Sequence, residues 1–105
     1  MTLDPEDSKI ITLARAARAR NESAEGAAVR DETGRTYSAT GGALDALTLS
    51  AVQVAVAMAI SGGALSLEAV ALVSEGAPSA ADEAVAAELG VKALLVAGPD
   101  GNLRG

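Results

Sequence analysis

Few side chains in this 105-residue chain can do acid–base or nucleophilic chemistry, because it contains no histidine and no cysteine. Thiol catalysis and imidazole general-base catalysis are therefore excluded for these residues. A zinc site would also lack the thiolate and imidazole ligands that zinc prefers. The chemistry left to the polar side chains is that of hydroxyl and carboxylate groups, as in Ser50, Ser79 and Asp82.

Ser79 and Asp82 have the spacing of a capping box, in which each side chain accepts a hydrogen bond from the other residue's backbone N–H. Removing a capping serine costs about 1 kcal/mol, so a stability role suffices to explain Ser79. We interpret Ser50 as a small helical residue whose hydroxyl bonds to the backbone four residues earlier. No histidine is present to activate it as a nucleophile.

Two other chemistries are open to these side chains. A serine–lysine pair would have to use Lys9 or Lys92, the only lysines, and Lys92 has no local motif around it. Asp82 together with Asp45 or Glu75 could bind a hard cation such as Mg²⁺ through oxygen ligands. No EF-hand loop and no paired Asp-x-Asp spacing supports that cation site.

Three glycine-rich segments, 41–42, 62–63 and 98–101, are the candidates for a phosphate-binding loop. None has the spacing of a P-loop or of a dinucleotide-binding fingerprint. We therefore predict that they are helix stops and turns.

The net charge of −6 and the pI near 4.4 argue against a nucleic-acid partner, because binding to phosphates depends on lysine and arginine. Six of the eight basic residues lie in the first third, among a similar number of acids. We interpret these charges, including Glu25, Arg30 and Asp31, as one solvated face.

The start of the sequence, residues 1–7, is acidic rather than basic and apolar, so no secretory signal is expected. The longest apolar run, 54–60, is far shorter than the roughly 20 residues of a membrane span. The absence of cysteine fits a reducing compartment. We expect a cytoplasmic protein with no membrane partner.

The apolar periodicity predicts a helix over 5–19, capped by Asp4, with one apolar stripe. Segments 26–30 and 35–39 are predicted to form a hairpin around a turn that ends in Gly34. The apolar stripe of the helix would pack on one face of the sheet that contains this hairpin.

A second helix is predicted over 47–61, apolar nearly all round and therefore buried on most sides. Segments 68–74 and 91–97 are apolar runs of strand length, and a helix over 80–89 separates them. This order predicts a parallel βαβ unit. We expect one α/β/α domain over residues 1–105, with a mixed sheet of four or five strands.

This order of elements resembles the cytidine deaminase fold over nearly the whole chain. Residues 26–29 and 31–35 resemble the first hairpin of that family. Residues 47–53, Leu-Thr-Leu-Ser-Ala-Val-Gln, resemble its segment Leu-Thr-x-Cys-Ala-Glu-Arg. Residues 78–82, Pro-Ser-Ala-Ala-Asp, resemble its Pro-Cys-x-x-Cys, and the Glu-Leu-Gly at 88–90 also agrees.

The resemblance places Ser50, Ser79 and Asp82 at the positions of the three zinc ligands. It places Val52 at the position of the glutamate that carries protons between zinc-bound water and the base. A valine cannot transfer a proton. The resemblance therefore implies a degenerate member that lacks both the zinc ligands and the catalytic glutamate.

The Asn-x-Glu of the family, which holds the ribose, falls on Ala39 and Gly41. Two polar contacts to a nucleoside are therefore missing as well. The resemblance predicts a vestigial, non-catalytic pocket formed by Ala39, Gly41, Ser50, Val52, Ser79 and Asp82.

These observations predict a cytidine deaminase-like pseudoenzyme that uses no cofactor and acts as a homo-oligomeric scaffold or partner-binding module. The apolar helix 47–61 favours burial against another chain, and the resemblance implies a dimer or a tetramer. One alternative is a weak binder of nucleosides or small metabolites in the vestigial pocket. Another is a subunit of a nucleoside deaminase whose missing groups come from a different chain.

Overall fold

The computed structural model describes residues 3–91 and 93–104, and the elements lie within these ranges. The helices are α1 (Pro5–Arg20), α2 (Ala51–Ser61) and α3 (Ala80–Glu88). The strands are β1 (Glu25–Asp31), β2 (Thr36–Ala39), β3 (Gly42–Ala43), β4 (Thr48–Leu49), β5 (Leu67–Ser74) and β6 (Ala93–Ala97). No helix in the described ranges is both long enough and apolar enough to cross a lipid bilayer.

Four strands form one mixed sheet in the order β2-β1-β5-β6. Strand β1 is antiparallel to both β2 and β5, whereas β5 and β6 are parallel and are connected through α3. The predicted mixed sheet and the predicted parallel βαβ unit are therefore confirmed. Strands β3 and β4 form a separate antiparallel hairpin.

The side chains of β5 alternate between two apolar clusters, as expected for a strand that is buried on both faces. Ala69, Ala71 and Val73 pack with residues of α1. Val70 and Leu72 pack with residues of α2 and with the half-buried side chains of the α3 region. The sheet thus lies between α1 on one face and α2 with α3 on the other, which is the predicted α/β/α arrangement.

Helix α1 begins where the sequence predicts. The side chain of Asp4 accepts a hydrogen bond of 2.8 Å from the Glu6 N–H, and Pro5 occupies the first helical position. The helix approaches β1 closely at Gly26, where a Cβ would lie 2.1 Å from the Ala14 carbonyl oxygen. Any side chain at residue 26 would therefore push α1 away from the sheet.

Helix α2 begins four residues later than the predicted range of 47–61. Thr48 pairs with Ala43 and Leu49 pairs with Gly42, so these residues form a strand of the small hairpin. The backbone of Ser50 is extended, with ψ of 165°, and the helix starts at Ala51. Apolar periodicity cannot separate a helix from a short strand that leads directly into it.

Most charges of the first third are exposed, as predicted, but Asp7, Arg30 and Asp31 are not part of a solvated face. Arg30 lies between two carboxylates, with Nη2 at 3.1 Å from Asp7 Oδ1 and Nε at 2.9 Å from Glu68 Oε1. Asp31 is only 2 % exposed and accepts hydrogen bonds from Thr33 and Arg35. These groups join α1, β1 and β5 and close the hairpin turn, so they are structural.

The turn after β1 depends on Asp31 and on Gly34. The Asp31 Oδ1 atom accepts from Thr33 N at 2.9 Å, from Thr33 Oγ1 at 2.7 Å and from Arg35 N at 2.9 Å. Gly34 has φ of 89°, which confirms the predicted need for a glycine in the turn. Burial acts to raise the pKa of Asp31, but these hydrogen bonds and the nearby Arg35 charge outweigh it and hold the pKa below its ordinary value.

Candidate functional site

The N-termini of α2 and α3 meet at the three polar residues that the sequence singles out. Ser50 precedes the first residue of α2, Ser79 precedes the first residue of α3, and Asp82 lies in the first turn of α3. The Ser50 hydroxyl donates a hydrogen bond of 2.5 Å to Asp82 Oδ1, across 32 positions of sequence. The three positions therefore converge on one point.

Ser79 and Asp82 form the predicted capping box. Ser79 Oγ accepts from Asp82 N at 3.1 Å, and Asp82 Oδ2 accepts from Ser79 N at 3.3 Å. The prediction for these two residues is confirmed, and the box satisfies two N–H groups that the start of α3 would otherwise leave without partners.

Ser50 also belongs to a capping box, and its predicted helical role is wrong. Its Oγ accepts from Gln53 N at 3.1 Å, while Gln53 Oε1 accepts from Ser50 N at 2.9 Å. Because Ser50 stands before the helix, its hydroxyl proton is directed to Asp82 rather than to a backbone carbonyl four residues earlier. The late start of α2 is the reason for the difference.

Asp82 is the most enclosed member of this group, with 1 % of its surface exposed. Each of its carboxylate oxygens accepts a hydrogen bond, one from Ser50 and one from Ser79. Within residues 3–91 and 93–104, no cluster of three or more acidic side chains could hold a metal ion. The alternative in which Asp82 binds a hard cation together with Asp45 or Glu75 involves two carboxylates, and both oxygens of Asp82 are already engaged with Ser50 and Ser79.

The residues at these positions do not fit a zinc ion. They offer one carboxylate and two hydroxyls, whereas zinc sites in proteins are built from thiolates, imidazoles and carboxylates. Ser50 Oγ, Ser79 Oγ and both oxygens of Asp82 are already used in hydrogen bonds with each other or with capped backbone groups. Binding a metal would require those bonds to break.

Val52 is fully buried. It lies in the first turn of α2 and belongs to the apolar cluster between α2 and the sheet, together with Ala27 and Leu72. Its role in the structure is core packing.

A cleft of about 670 Å³ opens beside the start of α2. The lining residues are Ser23, Ala24, Glu25, Gly41, Gly42, Ala43, Thr48, Leu49, Ser50, Gln53 and Ser74. Of the six residues predicted for the vestigial pocket, Gly41 and Ser50 line this cleft. Ser50 and Gln53 form the polar side of α2 that faces it.

Gly41 has no room for a side chain, because a Cβ there would lie 2.6 Å from the Leu49 carbonyl oxygen. Ala39 is half-buried within β2, where it pairs with Ala27. The two positions that the resemblance assigns to ribose binding therefore present no polar side chain. The close approach of β4 prevents Gly41 from gaining one by simple substitution.

Sequence reasoning missed Glu25 and Ser74 as cleft residues. They are partners in the antiparallel register of β1 and β5, so the start of one strand meets the end of the other at the same edge of the sheet. The only signal in the sequence is that a polar residue stands at one end of each apolar strand, with Glu25 at the start of β1 and Ser74 at the end of β5. That signal does not say which strands are neighbours.

The outer surface of α2 and the β3–β4 hairpin form a second feature, here called the outer apolar face. Its exposed side chains include Leu44 (68 % exposed), Leu47 (56 %) and Met58 (42 %). Two adjoining grooves of about 470 and 280 Å³ share Leu49 and Val54, so the face is continuous. Helix α2 therefore exposes apolar side chains in the monomer, although the sequence predicted burial on most sides.

The comparisons with known proteins agree with this geometry. The family model described as cytidine deaminase-like matches residues 3–101. A crystal structure of cytidine deaminase from Burkholderia pseudomallei is 27 % identical, with a TM-score of 0.74, covering 91 % of this chain and 87 % of that one. The cytidine deaminase from Mycobacterium tuberculosis is 25 % identical, with a TM-score of 0.74 and coverages of 96 % and 90 %. No curated protein sequence matches the chain.

Proposed function

Because the chain belongs to the cytidine deaminase-like family, we propose that it is a non-catalytic member that acts as a homo-oligomeric scaffold or partner-binding module. The observation that carries this proposal is the hydrogen bond of 2.5 Å between Ser50 and Asp82. It occupies the point where the positions assigned to the zinc ligands converge.

The non-catalytic part of the proposal is supported by the donor set and by Val52. The chain has no imidazole and no thiol, and the hydroxyl and carboxylate groups at the helix starts are held in capping bonds. Deamination of cytidine in this family needs a carboxylate that carries protons at the position that Val52 occupies. Here that position is an apolar side chain in the core.

The oligomeric part is supported by the outer apolar face. The eleven residues of α2 include no charged side chain, although the chain carries a net charge of −6. Two copies that met through a charged surface would repel one another, whereas the outer apolar face can approach its own copy without that repulsion. A two-fold arrangement would bury Leu44, Leu47 and Met58 of both copies at once.

The test of the non-catalytic proposal is a direct assay with a matched positive control. The purified protein, supplied with zinc, should form no uridine from cytidine and should retain no stoichiometric zinc after dialysis. The cytidine deaminase from B. pseudomallei, assayed in parallel as the positive control, should form uridine. Uridine formation by this chain would overturn the proposal, and the same assay on Glu25→Gln would then show whether the acidic residue of the cleft is responsible.

The cleft favours a second candidate, a weak binder of nucleosides or small metabolites. Its volume of about 670 Å³ lies in the range of small-molecule sites. Hydroxyl groups and one carboxylate, that of Glu25, border it. This candidate predicts measurable ligand binding without turnover.

A further inference from the structure

The segments that precede α2 and α3 contribute little support to the first turns of these helices. Residues 41–48, which lead to α2, are all exposed. The segment that leads to α3, residues 75–79, is also exposed apart from Pro78, which is half-buried. The distance between the two helix starts therefore depends on the packing of each helix against the sheet, as at Ala51 and Val52, and on the contacts that join the starts directly.

Asp82 supplies such a contact with a buried carboxylate. Oδ1 accepts from the Ser50 hydroxyl of the α2 cap, and Oδ2 accepts from the Ser79 N–H of the α3 cap. Exclusion of water strengthens hydrogen bonds of this kind. Asp82 also lies where the N-terminal ends of the two helices meet.

We infer that the Asp82 carboxylate is a cross-brace that fixes the start of α2 to the start of α3 and so positions Ser50 at the wall of the cleft. At positions that the resemblance assigns to metal ligands, Asp82 provides a hydrogen-bonded link between the two helix starts, in addition to the apolar packing of α2 and α3. Asp82 is thus a positioning residue. The cross-brace does not depend on the proposed oligomer, because unfolding and hydrogen exchange test the cross-brace whereas light scattering tests the oligomer.

The alternative is that Asp82 serves only the cap of its own helix. A double-mutant cycle with Ser50→Ala, Asp82→Ala and the double variant separates the two roles, with urea unfolding as the measurement. A cross-brace should give a coupling of about tenfold or more in the unfolding equilibrium constant. The control pair, Asp4→Ala with Asp82→Ala, joins the caps of α1 and α3, which do not touch, and should be additive within about twofold.

A second measurement works even if the alanine variants fail to fold. Asp82→Asn keeps the size of the side chain, but its amide can accept only one of the two hydrogen bonds, and its NH₂ group can only replace the other with a neutral bond of reversed direction, which is weaker. Hydrogen exchange of the Gln53 N–H, which Ser50 Oγ caps, should become about tenfold faster in Asp82→Asn. Ser79→Ala, which weakens only the cap of α3, should leave Gln53 unchanged.

Coupling between residues 50 and 82, together with faster exchange of the Gln53 N–H in Asp82→Asn, supports the cross-brace. Additive effects at Ser50 and Asp82, or exchange changes confined to α3 in Asp82→Asn, would overturn it and leave Asp82 as a local cap.

Discussion

Ala55 and Ala57 are separated by one residue on α2, yet Ala55 is fully buried whereas Ala57 is exposed on the outer side of the helix. Ala57 belongs to the outer apolar face, and Ala55 belongs to the cluster between α2 and the sheet. The same substitution at these two positions therefore separates an effect on assembly from an effect on folding.

We predict that the protein is a dimer or a tetramer at tens of micromolar and that Ala57→Glu converts it to folded monomers. A charge on the outer apolar face would have to be buried in the assembly without a partner, which is unfavourable. Light scattering gives the mass, and circular dichroism checks that the fold remains.

The matched control for assembly is Ala55→Glu, which should unfold the protein because the same charge would enter the core. A wild-type protein that is monomeric at these concentrations would contradict the scaffold proposal. If Ala57→Glu leaves the oligomer intact, the assembly uses another surface.

Nucleosides should bind the cleft with a dissociation constant no better than about millimolar, which corresponds to about −4 kcal/mol. Ala39 and Gly41 provide no polar side chain for a ribose, and Val52 is enclosed in the core. Calorimetric titrations with cytidine, deoxycytidine and uridine measure this. Micromolar affinity for any of the three would promote the ligand-binding candidate over the scaffold.

A zinc site should be restored by Ser50→Cys, Ser79→Cys and Asp82→Cys together, because the three positions meet at one point. Thiolates at helix starts are favoured by the dipole, so about one tight zinc per chain is expected. Adding Val52→Glu should not give turnover, because the carboxylate would enter the apolar core that Val52 occupies and because contacts to orient the ribose remain missing. Zinc content after dialysis is measured by atomic absorption.

A variant with the same number of thiols controls for unspecific zinc binding. In this control, Ser66→Cys replaces Ser50→Cys. Residue 66 lies just before the start of β5, whereas the opposite end of that strand, Ser74, lines the cleft together with Ser50, so the thiol at residue 66 is distant from the other two. This variant should bind zinc much more weakly. Equal zinc binding by both variants, or a folded triple variant without zinc, would show that residues 50, 79 and 82 do not converge as described.

Acid should destabilise the protein partly through Asp31. The hydrogen bonds from Thr33 and Arg35 hold the pKa of Asp31 below its ordinary value, in spite of its burial. The unfolded-state pKa is about 3.9, so this stabilisation is complete above that pH and is lost as the pH falls through the lower folded-state pKa. Asp31→Asn should be less stable than wild type at pH 7 and should lose less stability below about pH 4.

Urea midpoints measured between about pH 3 and pH 7 give this profile. The exposed Glu75 provides the comparison, and Glu75→Gln should keep the acid profile of the wild type. An Asp31→Asn profile parallel to that of the wild type would show that Asp31 does not contribute to the acid sensitivity.

The sequence by itself determined most of the architecture. The Asp4 cap fixed the start of α1, the glycine at residue 34 marked the hairpin turn, and the apolar runs on either side of α3 predicted a parallel unit. These are local signals, because caps, turns and strand periodicity depend on neighbours a few residues away. One lysine of the serine–lysine alternative, Lys92, lies outside the described residues.

The tertiary structure alone decided the role of Ser50 and the long-range partner of Asp82. The capping box of Ser79 and Asp82 was readable, since its members are three residues apart, but the bond from Ser50 to Asp82 spans 32 positions and has no local pattern. The resemblance assigned both to one site, and only the pairing of Thr48 and Leu49 in the β3–β4 hairpin, which delays the start of α2, made Ser50 a cap. Long-range contacts of this kind depend on which elements are neighbours, and a periodic pattern does not specify its neighbour.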